Sequence, residues 1–194
     1  MQNERLYRKY LSGRHWDAYP TSYSQRFADF LLSNGFSGRL VDLGCGSGSD
    51  VHVFFRRGID VLGIDLSEDE IARARSRHPH CRFEVGDVER MSLEDRSVGA
   101  LFMINVVHYL NQRKALREAY RILRPGGFFL VHFNTLIADR TGRIDYAQGL
   151  PEILSLVRDF EIVQKNPFMR VDLSPIIHTH SILELVLRKP VETA

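Results

Sequence analysis

The sequence predicts an α/β fold: a doubly wound, mostly parallel seven-stranded sheet with helices on both faces and an antiparallel last strand. Three observations predict it. From residue 39 onward, short apolar runs alternate with amphipathic stretches of helical period, the pattern of βαβ units with right-handed crossovers. Glycine-rich turns at Gly44–Gly48 and Arg124-Pro125-Gly126-Gly127 punctuate the alternation. Near the end, Phe160–Gln164 and His180–Leu187 are apolar runs with no helical pattern between them. Parallel neighbours need a crossover of about a dozen residues or more, usually helical, so this pair should be antiparallel.

The elements follow in order. Arg39–Leu43 reads as a buried strand that ends in the glycine turn. Val51, Phe54 and Phe55 stand at i, i+3 and i+4, predicting a helix that Gly58 stops. Asp60–Ile64 is the second strand, and Ser67 with Glu70 three residues on is a capping box opening a helix toward Pro79. Residues 81–85 and Ala100–Val107 give the third and fourth strands. Asn111 can cap a helix carrying Ala115, Leu116, Ala119, Ile122 and Leu123 on one face, and Phe128–Phe133 is the fifth strand. Pro151 suits the first turn of a helix over Ile153, Leu154 and Val157. Pro167 and Pro175 argue against a helix in the connection Lys165–Thr179.

A chain of 194 residues fits one domain with a full core. Its 44% apolar content, and 26 Lys and Arg against 24 Asp and Glu, exclude a disordered chain and give no strong reason to expect a polyanionic partner. Cys45 and Cys81 are too few for a disulfide framework and suit a reducing cytosol. No apolar signal region is visible at the N-terminus, and no run approaches the ~18 apolar residues of a membrane span. A soluble, cytoplasmic protein is the expectation, with residues 39–194 as its domain. Residues 1–38 hold Tyr7, Tyr10, Trp16, Tyr19 and Tyr23 and are read as a helical lid over the site; the plainer reading is a helix packed on the sheet's rim.

The most unusual stretch lies where open parallel sheets bind ligands, at the carboxyl end of the first strand: Asp42-Leu43-Gly44-Cys45-Gly46-Ser47-Gly48. Glycines admit a ligand close to the backbone, and the following helix offers unpaired N–H groups. No Gly-Lys-Ser/Thr follows, which rules out a phosphate-binding P-loop, and Ser49 stands at the third glycine position of the dinucleotide fingerprint. Asp42 would repel a pyrophosphate and attract an ammonium group.

This stretch resembles the first motif, D-x-G-x-G-x-G, of the class I S-adenosylmethionine-dependent methyltransferases. The resemblance continues in order along the chain, closely over residues 39–133. Asp65, ending the second strand in Gly-Ile-Asp-Leu-Ser, resembles the acid that binds both ribose hydroxyls. Gly86-Asp87-Val88 resembles the adenine-contacting segment, Asn105 to Leu110 the end of the fourth strand beside the methionine part, and Leu123 to Gly127 the turn into the fifth strand. The resemblance implies S-adenosylmethionine as cofactor, held by Asp42, Gly44, Cys45, Gly46, Gly48, Asp65, Leu66, Asp87, Val88 and Asn105. A carboxylate can accept from two adjacent hydroxyls at once, which suits Asp65.

Each candidate has a plainer alternative. Asp42 and Asp65 could cap turns or helices, and Asp87 could be a turn residue. Asp65 lies 23 residues beyond Asp42, near the ~20-residue spacing of the ribose acid in dinucleotide folds, so an NAD-dependent oxidoreductase is an alternative function. A cofactor-binding protein without catalysis is another. Cys45 is read as a small packing residue rather than a nucleophile. His108, placed on the cleft side of the fourth strand, is the first candidate for a general base, equally a structural histidine; Tyr109 and Tyr19 come next. No metal is expected: His78-Pro79-His80-Cys81 lacks a fourth ligand at matching spacing, and one of His178 and His180 should face solvent.

Methyl transfer to an O, N or S of a small-molecule acceptor is expected rather than to RNA or protein. The fourth strand lacks the Asn/Asp-Pro-Pro-Tyr/Phe sequence of amide and base methylation, and no RNA-binding module or basic stripe is evident. Acceptor contacts are placed on Asn134–Gln148, where Arg140 and Arg143 could clamp an anion or pair with Asp139 and Asp145, and Tyr146 stands beside them.

Overall fold

A computed structural model describes residues 22–173 and 177–191. Eight strands form one sheet in the order β3-β2-β1-β4-β5-β8-β7, with β6 hydrogen-bonded to β5 off this path. Strands β1 (Arg39–Leu43), β2 (Asp60–Asp65), β3 (Arg82–Val85), β4 (Val98–Met103) and β5 (Leu123–Asp139) run parallel. Strand β8 (His178–Arg188) is antiparallel to β5 and to β7 (Glu161–Asp172). The expected seven strands are the ordered ribbon, and β6 (Ile144–Ala147) is an eighth.

Helices cover both faces. On one face α1 (Ser22–Ser33), α2 (Ser49–Arg56) and α3 (Glu68–Arg77) bury Phe27, Leu31, Phe54, Ile71 and Ala74 against Leu40, Phe102 and Val186. On the other, α4 (Gln112–Ile122) and α5 (Leu150–Leu156) bury Leu116, Ala119, Ile122 and Ile153 against Val41, Leu43, Leu101 and Phe129. Alternate residues of β1 thus feed opposite cores, as the two-residue period of a strand requires. Both N-caps form, Ser67 Oγ accepting from Glu70 N and Asn111 Oδ1 from Lys114 N, but the expected box at Ser67 is only half made, because the Ser67 amide donates to Asp65 rather than to Glu70. Phe55 is 42% exposed, because the eight-residue α2 presents only Val51 and Phe54 to the sheet.

Three boundaries differ from expectation. Strand β4 stops at Met103, and Val107–Tyr109 is a short 3-10 turn. Asn105 adopts φ 59°, a left-handed conformation that an extended strand cannot contain. Strand β5 continues six residues past Phe133 to pair with β6, so the stretch read as an insert is a hairpin. Strand β7 runs through Pro167, paired with Leu183, where a loop was expected. An edge strand tolerates proline because its outer rim needs no donor. Among the described residues, no helix is long and apolar enough to cross a membrane.

Candidate active site

The carboxyl ends of β1, β2 and β4 open into a cleft of about 350 Å³. Asp42 ends β1 and is only 3% exposed. The turn after it folds back on β2: the amides of Gly44 and Cys45 both donate to the Ile64 carbonyl, at 2.7 and 3.0 Å. Gly44 (φ 77°) must be glycine, since a Cβ there would lie 2.4 Å from Val106 Cγ2. Gly46 (φ 50°) differs in kind, because a Cβ there would meet nothing within 4 Å. Its backbone is bare toward the cleft, as a closely approaching ligand requires.

Asp65 is held by two main-chain donors, Gly46 N to Oδ2 and Ser67 N to Oδ1, each at 2.9 Å. A carboxylate offers about four acceptor sites, so two remain for a pair of hydroxyls. Asp87 orients its carboxylate by accepting from Glu89 N at 2.8 Å. Asn105 Oδ1 accepts from Arg170 Nη1 at 3.1 Å. Of the residues the sequence offers for the cofactor, Asp42, Gly44, Cys45, Gly46, Asp65, Leu66, Asp87, Val88 and Asn105 line this cleft. Gly48 does not. It stands behind the turn as the left-handed N-cap of α2, where a Cβ would meet Phe83 at 2.6 Å.

Asp50 and Glu70 also line the cleft, and the sequence reading missed both. They sit in the first turns of α2 and α3, where acidic residues are read as ordinary complements to the helix dipole. What could have found Asp50 is its place one turn into the helix behind the glycine motif. It receives the Ser24 hydroxyl at 2.5 Å, which ties α1 to the site.

The electrostatics are lopsided. Burial pushes the Asp42 carboxyl well above its usual range, and the charges of Asp50 and Asp65 push the same way. Burial raises Asp50 to about 6 against the opposing Ser24 hydrogen bond. Asp65 is raised by burial too, although the Ser67 and Gly46 amides pull it back. Burial, Asp42 and Asp65 drive the Cys45 thiol up as well, which removes the thiolate a nucleophile would need. Among the described residues, no cationic side chain joins these three carboxylates in the cleft lining.

His108 does not lie on the cleft side of a strand. It sits in the 3-10 turn, 1% exposed, with Nδ1 2.9 Å from Asn134 Nδ2. Tyr109, its neighbour, does line the cleft, and the two rings are 4.0 Å apart. Tyr19 and the lid reading of residues 1–38 fall outside the described residues except for Ser22 onward; there Tyr23 is buried in α1 against His132. Arg143 pairs with Asp139 and Asp145 at 3.3 and 3.4 Å, so it is no open anion clamp. Tyr146 shares hydrogen bonds with Gln112 and Gln148. His178 and His180 both face inward, contrary to expectation, because residues two apart share a strand face.

With this geometry in view, the comparisons with known proteins agree. A methyltransferase domain profile matches residues 41–131. An uncharacterized methyltransferase of Mycobacterium bovis is 30% identical over 154 residues, covering 77% of this chain and 61% of its own length. Residues 41–131 match a methyltransferase domain, and the fold around them is that of the class I S-adenosylmethionine-dependent methyltransferases.

The malonyl-(acyl-carrier protein) O-methyltransferase of Pectobacterium atrosepticum is 35% identical over 99 residues, half of this chain and 38% of that protein. A SAM-dependent methyltransferase of Methanosarcina mazei shares the fold at a TM-score of 0.69 and 19% identity, covering 84% of this chain and 98% of the other. The chain spans less than two thirds of the length of these curated relatives. S-adenosylmethionine is the cofactor that goes with this methyltransferase domain, and the residues present fit it: bare glycine backbone at Gly46, a two-hydroxyl acceptor at Asp65, and uncompensated carboxylates for a cationic group.

Proposed function

We propose that this methyltransferase binds S-adenosylmethionine in the Asp42–Asp65–Asp87 cleft and methylates an O, N or S atom of a small-molecule acceptor. The observation that carries the reading is a cleft in which Asp42, Asp50 and Asp65 stand together, their proton affinity raised by burial, and in which no cationic side chain joins them among the described residues. A pyrophosphate-bearing dinucleotide would worsen that imbalance, whereas a ligand with an ammonium and a sulfonium relieves it.

When bound, the cofactor supplies a methyl group already activated on sulfur. The protein's work is then placement, which can contribute ~7–11 kcal/mol. Asp65 takes the ribose hydroxyls, Asp87 the adenine amine, and Asp42 with Asp50 the amino group. Tyr109 and Leu110 on the apolar side of the cleft exclude water from the acceptor. If the acceptor carries a proton, Tyr109 is the group in reach, with the His108 ring behind it to hold its orientation.

Thermal unfolding with added ligand tests the cofactor. S-adenosylmethionine at 100 times its Kd should add ~2.7 kcal/mol of stability, and NAD none; stabilisation by NAD alone would overturn the reading. Labelled-methyl transfer to a metabolite pool, compared with bulk RNA and protein, tests the acceptor. Incorporation confined to RNA or protein would replace the small molecule with a macromolecule.

A further inference from the structure

A second cluster of chemistry lies outside the cleft, where β7 ends and β8 begins. Asp172 closes β7, and His178 and His180 open β8, paired across the hairpin and buried. The imidazole Nε2 atoms of His178 and His180 lie 3.3 and 3.2 Å from the same oxygen, Asp172 Oδ2. Among the described residues this is the group of three or more such side chains whose donor atoms all fall within 4.8 Å of one another.

Hydrogen bonding alone does not account for His180. Its Nδ1 is 2.7 Å from Asn134 Oδ1, an acceptor, so Nδ1 carries the proton. The same amide places its Nδ2 2.9 Å from His108 Nδ1. A neutral His180 then presents a bare lone pair at Nε2. That nitrogen is buried and makes no hydrogen bond, yet it sits 3.2 Å from a carboxylate oxygen. Two lone pairs at that separation repel unless a proton or a metal cation lies between them.

We propose that Asp172, His178 and His180 form a binding site for a divalent first-row transition-metal ion. Two imidazole nitrogens and one carboxylate oxygen are the donor set of zinc and its neighbours, whereas magnesium and calcium prefer oxygen alone. Donors ~2.1 Å from an ion and 3.2 Å apart subtend about 100° at it, close to the tetrahedral angle. Three protein donors leave a fourth position for water.

The surroundings are those of metal ligands. Asn134 fixes the His180 tautomer through Nδ1, and Arg170 donates Nε to Asp172 Oδ1 at 2.9 Å and Nη2 to Oδ2 at 3.2 Å. Such outer partners orient ligating groups. The guanidinium leaves Oδ2 an acceptor site, since a carboxylate has about four. Arg170 also donates Nη1 to Asn105 at the cleft wall, so the ion would clip the β7–β8 hairpin within one side chain of the methyltransferase site.

The test is direct titration of untagged, chelator-treated full chain with Co²⁺, read by its visible absorption, and competition by Zn²⁺. We expect one ion per chain, displaced by Zn²⁺, and a higher Tm with metal than without. His180→Gln should abolish binding. Asn134→Ala, which leaves all three donors in place, should weaken it about 10–100-fold. His52→Gln should change nothing, although His52 stacks on His78 and is another imidazole pair. Absence of stoichiometric binding to the wild type, with a second proton on His180 filling the gap instead, would overturn the proposal. So would Co²⁺ binding that survives His180→Gln, or that His52→Gln removes. Should His180→Gln not fold, the Asn134→Ala affinity decides.

Discussion

The two halves of the sheet treat buried carboxylates in opposite ways. Around β1 and β2, Asp42, Asp50 and Asp65 share a cleft that holds no cation among the described residues, and burial raises all three. Around β7 and β8 the carboxylates are equally enclosed but compensated. Burial alone would raise Glu184, yet the His132 hydrogen bond and the charges of His132 and Arg26 draw it below its ordinary value. Asp172 is paired with the Arg170 guanidinium, at 2.9 and 3.2 Å. A buried charge is tolerated when something opposite stands beside it. One half supplies that partner from its own chain, and the other leaves the place for a ligand.

Four variants test this contrast. The largest effect should come from Glu184→Ala, which strips the buried His132 Nε2 (2.8 Å) and Asn166 of their partner. Denaturant unfolding should show a loss of about 3–5 kcal/mol; a loss below about 1 kcal/mol would mean that the β8 half is not held by its charges. Next is Asp65→Ala, which should weaken S-adenosylmethionine binding at least about tenfold by calorimetry. Unchanged affinity would take the ribose role from Asp65.

Asp50→Asn should act with the opposite sign on the ligand-free protein. A carboxyl whose folded pKa is raised from 3.8 to about 6 favours the folded state at low pH, and that contribution is lost as pH rises through 6. The variant should therefore raise Tm at pH 7.5, by at most about 3 kcal/mol of stability, and give no gain at pH 4. Glu184 has the reverse sign: its lowered pKa makes its contribution disappear as pH falls below the ordinary glutamate range. The smallest effect belongs to His108→Gln. Because His108 is enclosed behind Tyr109, turnover should fall by less than about tenfold, and a drop of about 100-fold would make it the base.

The same divide governs what the sequence reveals. In the β1–β4 half, function is written in local motifs: a glycine turn with forced left-handed positions at Gly44 and Gly48, an acid at a strand's end, an N-cap at Ser67. Each can be read within a few residues. Asp50 escaped because a first-turn acid has a sufficient local explanation. In the β5–β8 half, meaning depends on partners far apart in the chain. Asn134 joins His108 and His180 across 26 and 46 residues, and Arg170 reaches Asn105 across 65. No spacing rule announces such pairs. The end of β4 was misplaced because the apolar run continues to Val107 while Asn105, just past the strand, turns the chain through a left-handed conformation that asparagine tolerates better than most residues.

Pro167, in the middle of the outermost strand, has a consequence for the protein in concentrated solution. Ile162, Val163, Met169 and Val171 are all exposed on β7, the outermost strand on that side of the sheet among the described residues. Such a rim can recruit the same rim of another molecule and seed fibrous aggregates. A residue with no N–H placed halfway along interrupts the template that a docking strand would copy. The shelf life of this enzyme therefore rests partly on a side chain far from its chemistry.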